Sequence, residues 1–486
     1  MHAEILISVD PRETRVAVLE NQKLVEIWID RAGHGHLMGD IYLGIVQTVL
    51  PGMQAAFVDL GLDRAGFLHE SDVAGRSEAA DGIRARRPIG SLLKEGQRIV
   101  VQVVKDPVGS KGPRLTTEVS LPGRYSVLIP GGPAVGVSRR IRDEDERERL
   151  HDIGLQVVPP GMGLIIRTMA QGADASRLTE DIVALQTQWS ALTRRAASAP
   201  APSLLHREEG AAMSAVRDTF GMGVDRLIVD DRPLYRSIVR QVEGVPGDLK
   251  DRVELFEHDV PLFEYLGIEA ELDRLFHRVV HLPKGGSLVI EQTEALVAID
   301  VNTGRYTGGQ DQEETVFQTN LEAAEEIARQ LRLRDLGGII VVDFIDMEDQ
   351  AHRDALTDLL RNALERDRAH TRVLPVSELG IVEMTRERVR PSLAEIMTEP
   401  CLACGGSGRS LSLLSASLRL ERSLRNMIPT QDAGRVRLEV NPELDAYLSE
   451  NWGARWERIK ESADVLRVAD GAMGFEGVRF RILPPS

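Results

Sequence analysis

Two apolar runs in this sequence end in an aspartate, and that pairing constrains the fold more than any other feature. In "LVAIDVNTG", Asp300 follows Val297, Ala298 and Ile299, with Asn302 two residues on. About forty residues later, in "GGIIVVDFIDM", Asp343 follows another apolar run. A carboxylate at the end of a buried strand costs free energy unless something pairs with it. Between the runs lies "TVFQTNLEAAEEIARQLRLRDLGG", where Leu321, Ala324, Ile327, Ala328 and Leu331 recur at helical spacing. Gly337 and Gly338 predict the end of that helix.

Side chains alternate along a strand, so Asp300 and Asn302 point the same way. Glycines at 304, 308 and 309 permit close approach of backbone or ligand. If the two strands are neighbours in one sheet, Asp300 and Asp343 meet at one edge. Two carboxylates and an amide oxygen form a hard-oxygen site suited to Mg²⁺, which needs only one or two carboxylates. Such a metal activates water and offsets charge developing on a phosphodiester. The competing reading makes Asp300 the cap of a turn and Asp343 the cap of a following helix. The pairing of like strand ends, with the nearby Asn and glycines, favours the metal.

At 486 residues the chain exceeds a single core, so several domains are expected. Its 42% apolar content is that of a folded protein, and no run approaches the roughly 18–20 apolar residues of a membrane span. The opening "MHAEILISVDPRETRVAV" reads as a strand and turn rather than a signal peptide. Two cysteines argue against an oxidising compartment and for the cytoplasm. A net charge of −16 counts against indiscriminate binding to polyanions, yet leaves room for a local basic channel.

Residues 3–30 alternate as short strands, and 37–117 hold Gly-punctuated strands that suggest a small barrel, with a polar loop at 75–90. A helix is predicted in "LTEDIVALQTQWSALTRR", followed by a linker or exposed bend at 196–203. Residues 211–280 look α/β, and a smaller α/β tail fills 409–486.

"IDVNTG", "QTNLEAAEEIARQLRLRDLGGIIVVDFIDM" and "GIVEMTRERVRPSL" resemble the catalytic region of the ribonuclease E/G family, and the resemblance covers nearly the whole chain. It implies an α+β multidomain fold with seven segments. These are the first part of a ribonuclease-H-like subdomain (1–35), an inserted OB-fold RNA-binding barrel (36–117) and a 5′-sensor region (118–210). The second part of the ribonuclease-H-like subdomain follows (211–278), then a deoxyribonuclease-I-like catalytic subdomain (279–398), a zinc link (399–410) and a small C-terminal α/β domain (411–486). The implied activity is Mg²⁺-dependent endonucleolytic cleavage of single-stranded, A/U-rich RNA, leaving 5′-phosphate and 3′-hydroxyl ends. Such enzymes process rRNA and tRNA precursors and take part in mRNA decay. Asp300 and Asp343 would bind Mg²⁺, and Asn302 would orient the site.

The barrel segment also resembles an OB-type RNA-binding domain, a fold that stacks bases on exposed aromatics beside basic groups. The resemblance assigns Phe57, Phe67 and Lys111 to RNA; each Phe reads alternatively as barrel core, and His69 stays undecided. In the 5′-sensor region an arginine beside a hydroxyl suits a terminal phosphate. The family's 5′-monophosphate site maps to Gly123, Val127, Arg167 and Thr168, with an ordinary ion pair the alternative for Arg167. Cys401 and Cys404 have the spacing of half a tetrahedral Zn²⁺ site, or of a redox pair. With no other cysteine in the chain, full coordination suggests two chains giving two thiolates each. Family members are joined by such a link into a homodimer, and pairing of dimers into a tetramer is the further step the resemblance allows.

Two other functions compete. A non-catalytic RNA-binding scaffold would use the barrel alone and be free to lose Asp300, Asn302 or Asp343, all present here. A nuclease acting on DNA is disfavoured by the RNA-type barrel and the 5′-phosphate pocket. Arg386, Arg388 and Arg390 read as part of an RNA channel or as ion-paired surface, and Trp452 and Trp456 as support for oligomerisation.

Overall fold

The computed structural model describes residues 2–31, 37–73, 87–107, 111–132, 134–221, 223–243, 245, 249–303, 312–401, 404, 406–427, 437–462, 464–467 and 480–483. Most of the polar stretch at 75–90, and Gly304, Gly308 and Gly309, lie outside the described residues. The chain divides into two compact units, Met1–Ile396 and Met397–Ser486. Among the described residues no helix is long and apolar enough to cross a membrane.

In the larger unit, the antiparallel strands Ala3–Asp10, Glu13–Glu20 and Lys23–Arg31 continue, through a parallel pairing, to Arg226–Val229 and Val253–Leu255. About two hundred residues are therefore inserted between the third strand of this sheet and its fourth in sequence. The insertion begins with a closed five-stranded barrel. Its strands run in the order Ile41–Leu50, Ala55–Asp59, Gly66–His69, Arg114–Thr116 and Arg98–Lys105, and the last pairs back onto the first. Closure leaves those strands without a free edge. Next comes a four-stranded sheet packed by the helices Glu144–Val157 and Ala175–Ser198. The stretch at 196–203 is neither a linker nor fully exposed: the helix runs to Ser198, Ala196, Ala199 and Ala201 pack against the core beneath, and Ser203–His206 pairs with the barrel strand Ile41–Leu50.

A six-stranded sheet carries the paired aspartates, in the order Val279–His281, Ser287–Gln292, Leu296–Asn302, Gly338–Asp343, Ile381–Arg386 and Thr371–Val373. Leu296–Asn302 and Gly338–Asp343 run parallel, joined through the helix Gln312–Leu333. Parallel neighbours need such a crossover. One face of the sheet packs that helix and Gln350–Leu364, burying Val297, Ile299, Ile340, Val342, Val382 and Met384. Each such side chain contributes roughly 1.5–3 kcal/mol of burial. Slipping the Asp300 strand by one residue would turn Asp300 into this core and Ile299 out of it, so the buried row sets the register.

The crossover helix is packed on two sides. Ala323, Ala324, Ile327, Ala328 and Leu331 face the core of the six-stranded sheet. Arg329 and Arg332 face the first sheet: Arg332 pairs with Glu20 and Glu26 at 2.8 Å, and Arg329 Nη1 donates to the Leu24 carbonyl at 2.7 Å. The helix does not end on a glycine. Asp335 takes the left-handed conformation (φ 49°), and Leu336 N–H closes the end on the Leu331 carbonyl at 3.0 Å. An aspartate in that conformation costs about 1–2 kcal/mol, offset here by the ion pair of its carboxylate with Arg386 at 2.7 Å.

In the smaller unit, three strands and the helices Leu413–Met427, Pro442–Trp452 and Ala454–Ser462 share a core of Leu420, Leu438, Val440, Leu444, Leu448 and Trp456. Trp456 is fully buried, and its indole N–H donates to Asp445 Oδ1 at 2.8 Å. It is a core residue of this unit.

Candidate active site

Asp300 and Asp343 sit directly opposite each other across the parallel pair. Along Leu296–Asn302 burial alternates strictly, leaving Ala298, Asp300 and Asn302 exposed; Asp343 is exposed on the neighbouring strand. Asn302 Nδ2 donates to Asp300 Oδ2 at 2.8 Å, which aligns the amide with the carboxylate. Like charges directly opposite on paired strands are destabilising. Among the described residues neither Asp300 nor Asp343 forms an ion pair, and Asp343 accepts no hydrogen bond through its side chain. The helix-cap reading fails: the helix after Asp343 is capped by Asp349, which accepts from Ala351 N at 2.8 Å.

Sequence reasoning missed what fixes the chain beyond Asp343. Asn320, fully buried in the crossover helix, donates from Nδ2 to the Ile345 carbonyl at 2.8 Å and accepts from Ile345 N at 3.1 Å. An asparagine on the buried stripe of a helix, four residues before Ala324, was the available signal. Nearby, Glu313 accepts from Glu348 N and Asp349 N at 3.3 Å each and meets His352 Nδ1 at 3.1 Å, while Phe317 stacks on His352 at 4.0 Å. The His352 bond and those backbone N–H groups hold the Glu313 carboxyl below its usual range. Replacing Asn320 by Ala removes the partner of the half-buried Ile345 N–H and carbonyl, at up to roughly 1–3 kcal/mol each. The expected result is a lower melting temperature and about tenfold slower RNA cleavage, with RNA affinity kept. Unchanged rates would remove Asn320 from the positioning of Asp343.

On the barrel, Phe57 and Phe67 are cross-strand partners on the half-exposed outer face, with ring centroids 6.0 Å apart. The barrel core is built instead from Val46, Ala56, Val58, Leu68, Val101 and Leu115, so neither Phe is a core residue. Lys111 is exposed, just before the strand Arg114–Thr116 that pairs with the Phe67 strand. His69 serves its own turn, its Nδ1 accepting from Ser71 N at 3.1 Å.

Gly123, Arg167 and Thr168 come together. Arg167 Nη1 donates to the Gly123 carbonyl at 2.7 Å and pairs with Asp218 at 2.8 Å. Thr168 Oγ1 shares a hydrogen bond with Ser138 Oγ at 3.0 Å. Val127 lies on the adjacent strand, opposite Pro122 and Ile165. Burial raises the Asp218 carboxyl, but the charges and hydrogen bonds of Arg217 and Arg167 outweigh it and hold the group below its ordinary range. Of the three arginines expected near an RNA channel, Arg386 is buried between Asp367 and Asp335 at 2.7 Å from each, and Arg390 stacks on Trp28 at 4.5 Å. Both are internal contacts; Arg388 is exposed, with its Nε on the Gly337 carbonyl at 3.0 Å.

In the smaller unit the Cys401 carbonyl accepts from Cys404 N at 3.3 Å, closing a tight turn. Gly408 N–H donates to Cys404 Sγ at 3.3 Å and holds the thiol below its ordinary range. Gly408 does so from a left-handed conformation (φ 67°) that a side chain would strain.

A model of the Ribonuclease E/G family matches residues 120–389. The chain is 40% identical over 446 residues to ribonuclease G of Escherichia coli (strain K12), covering 91% of each protein. It is 37% identical over 449 residues to ribonuclease G of Haemophilus influenzae, covering 92% of this chain and 91% of that one. Ribonuclease E of Escherichia coli (strain K12) is 39% identical over 452 residues, which make up 92% of this chain but 42% of that longer protein. The site geometry and these relatives agree: the chain belongs to the ribonuclease E/G family and is an endoribonuclease.

Proposed function

We propose that this endoribonuclease is Mg²⁺-dependent, cuts single-stranded A/U-rich RNA and leaves 5′-phosphate and 3′-hydroxyl ends. Asp300 and Asp343 in matched register, with the Asn302 amide aligned on Asp300, are the observation that carries this reading. Among the described residues no three His, Cys, Asp or Glu side chains converge into a ready-made cage. Two carboxylates with an aligned amide nevertheless fit Mg²⁺, an ion that keeps several waters. When bound, the ion would activate water and offset charge on the phosphodiester. Asp300 and Asp343 would hold it, and Asn302 would orient Asp300. Phe57 and Phe67 would stack bases and Lys111 would meet the backbone. Gly123, Val127, Arg167 and Thr168 would receive a 5′-monophosphate, so that phosphorylated ends are favoured.

Cys401 and Cys404 supply half of a tetrahedral Zn²⁺ site, and a second chain would complete it as a homodimer in the cytoplasm, with tetramers formed by further pairing. Precursors of rRNA and tRNA and decaying mRNA are the substrates this chemistry suits. The test is cleavage of an unstructured, 5′-monophosphorylated A/U-rich RNA with Mg²⁺, followed by mapping of both product ends. Expected are cuts within the strand, bearing 5′-phosphate and 3′-hydroxyl. Cyclic or 3′-phosphate ends would rule out this mechanism, and tight binding without cutting would favour a scaffold.

A further inference from the structure

Two routes, one of hydrogen bonds and one through an ion pair and the adjoining backbone, lead from the residues assigned to the 5′ phosphate and meet at one turn beside the catalytic sheet. The first starts at Thr168, whose Oγ1 lies 3.0 Å from Ser138 Oγ. Ser138 Oγ accepts from Arg140 N at 3.4 Å, and Arg140 Nη2 donates to the carbonyls of Asp367 and Arg368 at 2.7 and 2.8 Å. The second starts at Arg167, paired with Asp218 at 2.8 Å. The next residue, Thr219, accepts through Oγ1 from Arg368 Nη2. Arg368 is further held over the Trp28 ring at 4.4 Å and 3.8 Å from Glu26.

The turn at Asp367 and Arg368 is itself tied to the sheet. The buried Asp367 carboxylate accepts from Arg386 Nε at 2.7 Å and Nη2 at 3.2 Å, and from Ala369 N at 2.9 Å. Arg386 ends the strand Ile381–Arg386, whose other end places Ile381 opposite Asp343. His370 O accepts from Glu387 N at 2.9 Å, and Thr371 pairs with Arg386. The turn is therefore bonded directly to the strand that flanks Asp343.

We propose that the Asp367–Arg368 turn links 5′-end occupancy to the cleavage site, with Arg140 and Thr219 as positioning residues rather than RNA contacts. The proposal rests on the 5′-phosphate reading above. A ligand biases an equilibrium only through contacts that differ between two arrangements. Here the difference lies at Arg167 and Thr168. A terminal phosphate, carrying about −1.5 to −2 charges near neutral pH, competes with Asp218 for the Arg167 guanidinium and with Ser138 for the Thr168 hydroxyl. Both releases feed the same turn, one through Thr219 and the other through Arg140.

The test compares cleavage of one A/U-rich oligonucleotide bearing a 5′-phosphate or a 5′-hydroxyl, using full-length wild type, Arg140→Ala, Thr219→Val and the double variant. The wild-type rate ratio should fall within the about 5- to 150-fold range of such couplings. Each single variant should cut that ratio at least about threefold, and the double variant should bring it to about one. The hydroxyl-ended rate and the affinity for phosphorylated RNA should stay within about twofold. An unchanged ratio in the double variant overturns the link, as does an equal fall on both substrates or a loss of RNA affinity in Arg140→Ala. A wild-type ratio of one overturns the 5′-phosphate reading itself, and the link with it. Thr219→Val removes one hydroxyl only, so it keeps the test informative should Arg140→Ala fail to fold.

Discussion

Asp343→Asn is expected to slow RNA cleavage by at least about 10³-fold while RNA affinity stays within about twofold. A metal at this position is worth several kcal/mol of charge stabilisation in the transition state, and each 1.4 kcal/mol or so is tenfold in rate. The substitution keeps the shape of the side chain and removes only its charge. Asp343 is exposed and opposite Asp300, so the fold should not suffer. It could even gain slightly, because one of two facing like charges is removed. Asp300→Asn should act in the same direction but reads less cleanly, since Asp300 also accepts from Asn302. Full activity in Asp343→Asn would place the chemistry elsewhere.

The second large effect is on assembly. Cys404→Ser, or a strong chelator, should reduce zinc from about one ion per two chains to none and convert dimer to monomer. Structural zinc sites contribute on the order of 10–16 kcal/mol of apparent binding free energy, far more than a small interface could replace. The smaller unit should stay folded without zinc, because its core of Leu420, Leu438, Leu444, Leu448 and Trp456 is independent of the Cys turn. Metal analysis with sedimentation or light scattering reads both quantities together. One zinc per chain, or an intact dimer after zinc removal, would contradict a shared site.

How far the sequence could carry these conclusions depended on whether a feature is local. The Asp300 and Asp343 pairing was legible because strand alternation fixes faces, and one-residue shifts are penalised by the buried row beneath. The barrel was legible from its glycine-punctuated strands, though only the structure places Phe57 and Phe67 on its outer face. What escaped was set by partners far away in sequence. Arg386 reads as a channel residue until Asp367 and Asp335 are seen beside it. Nothing local in the sequence shows that Trp456 is a core residue whose indole N–H meets Asp445. Asp335 in the left-handed position has no local signal at all, since the arginine that supports it lies on a later strand. Asp218 and Thr219, which tie the Arg167 site to the turn at Arg368, belong to no motif. Asn320 was half legible: its place on a buried stripe calls for a partner, but Ile345 cannot be named without the fold.

The central claim is that Asp300 and Asp343 together hold a divalent cation. Mn²⁺ serves as a paramagnetic stand-in for Mg²⁺, and its binding to full-length wild type and to the Asp300→Asn/Asp343→Asn double variant can be titrated by electron paramagnetic resonance. Wild type is expected to bind Mn²⁺ at a site that Mg²⁺ displaces, and the double variant to lose that site while remaining folded. Equal Mn²⁺ binding by the two proteins would contradict the assignment.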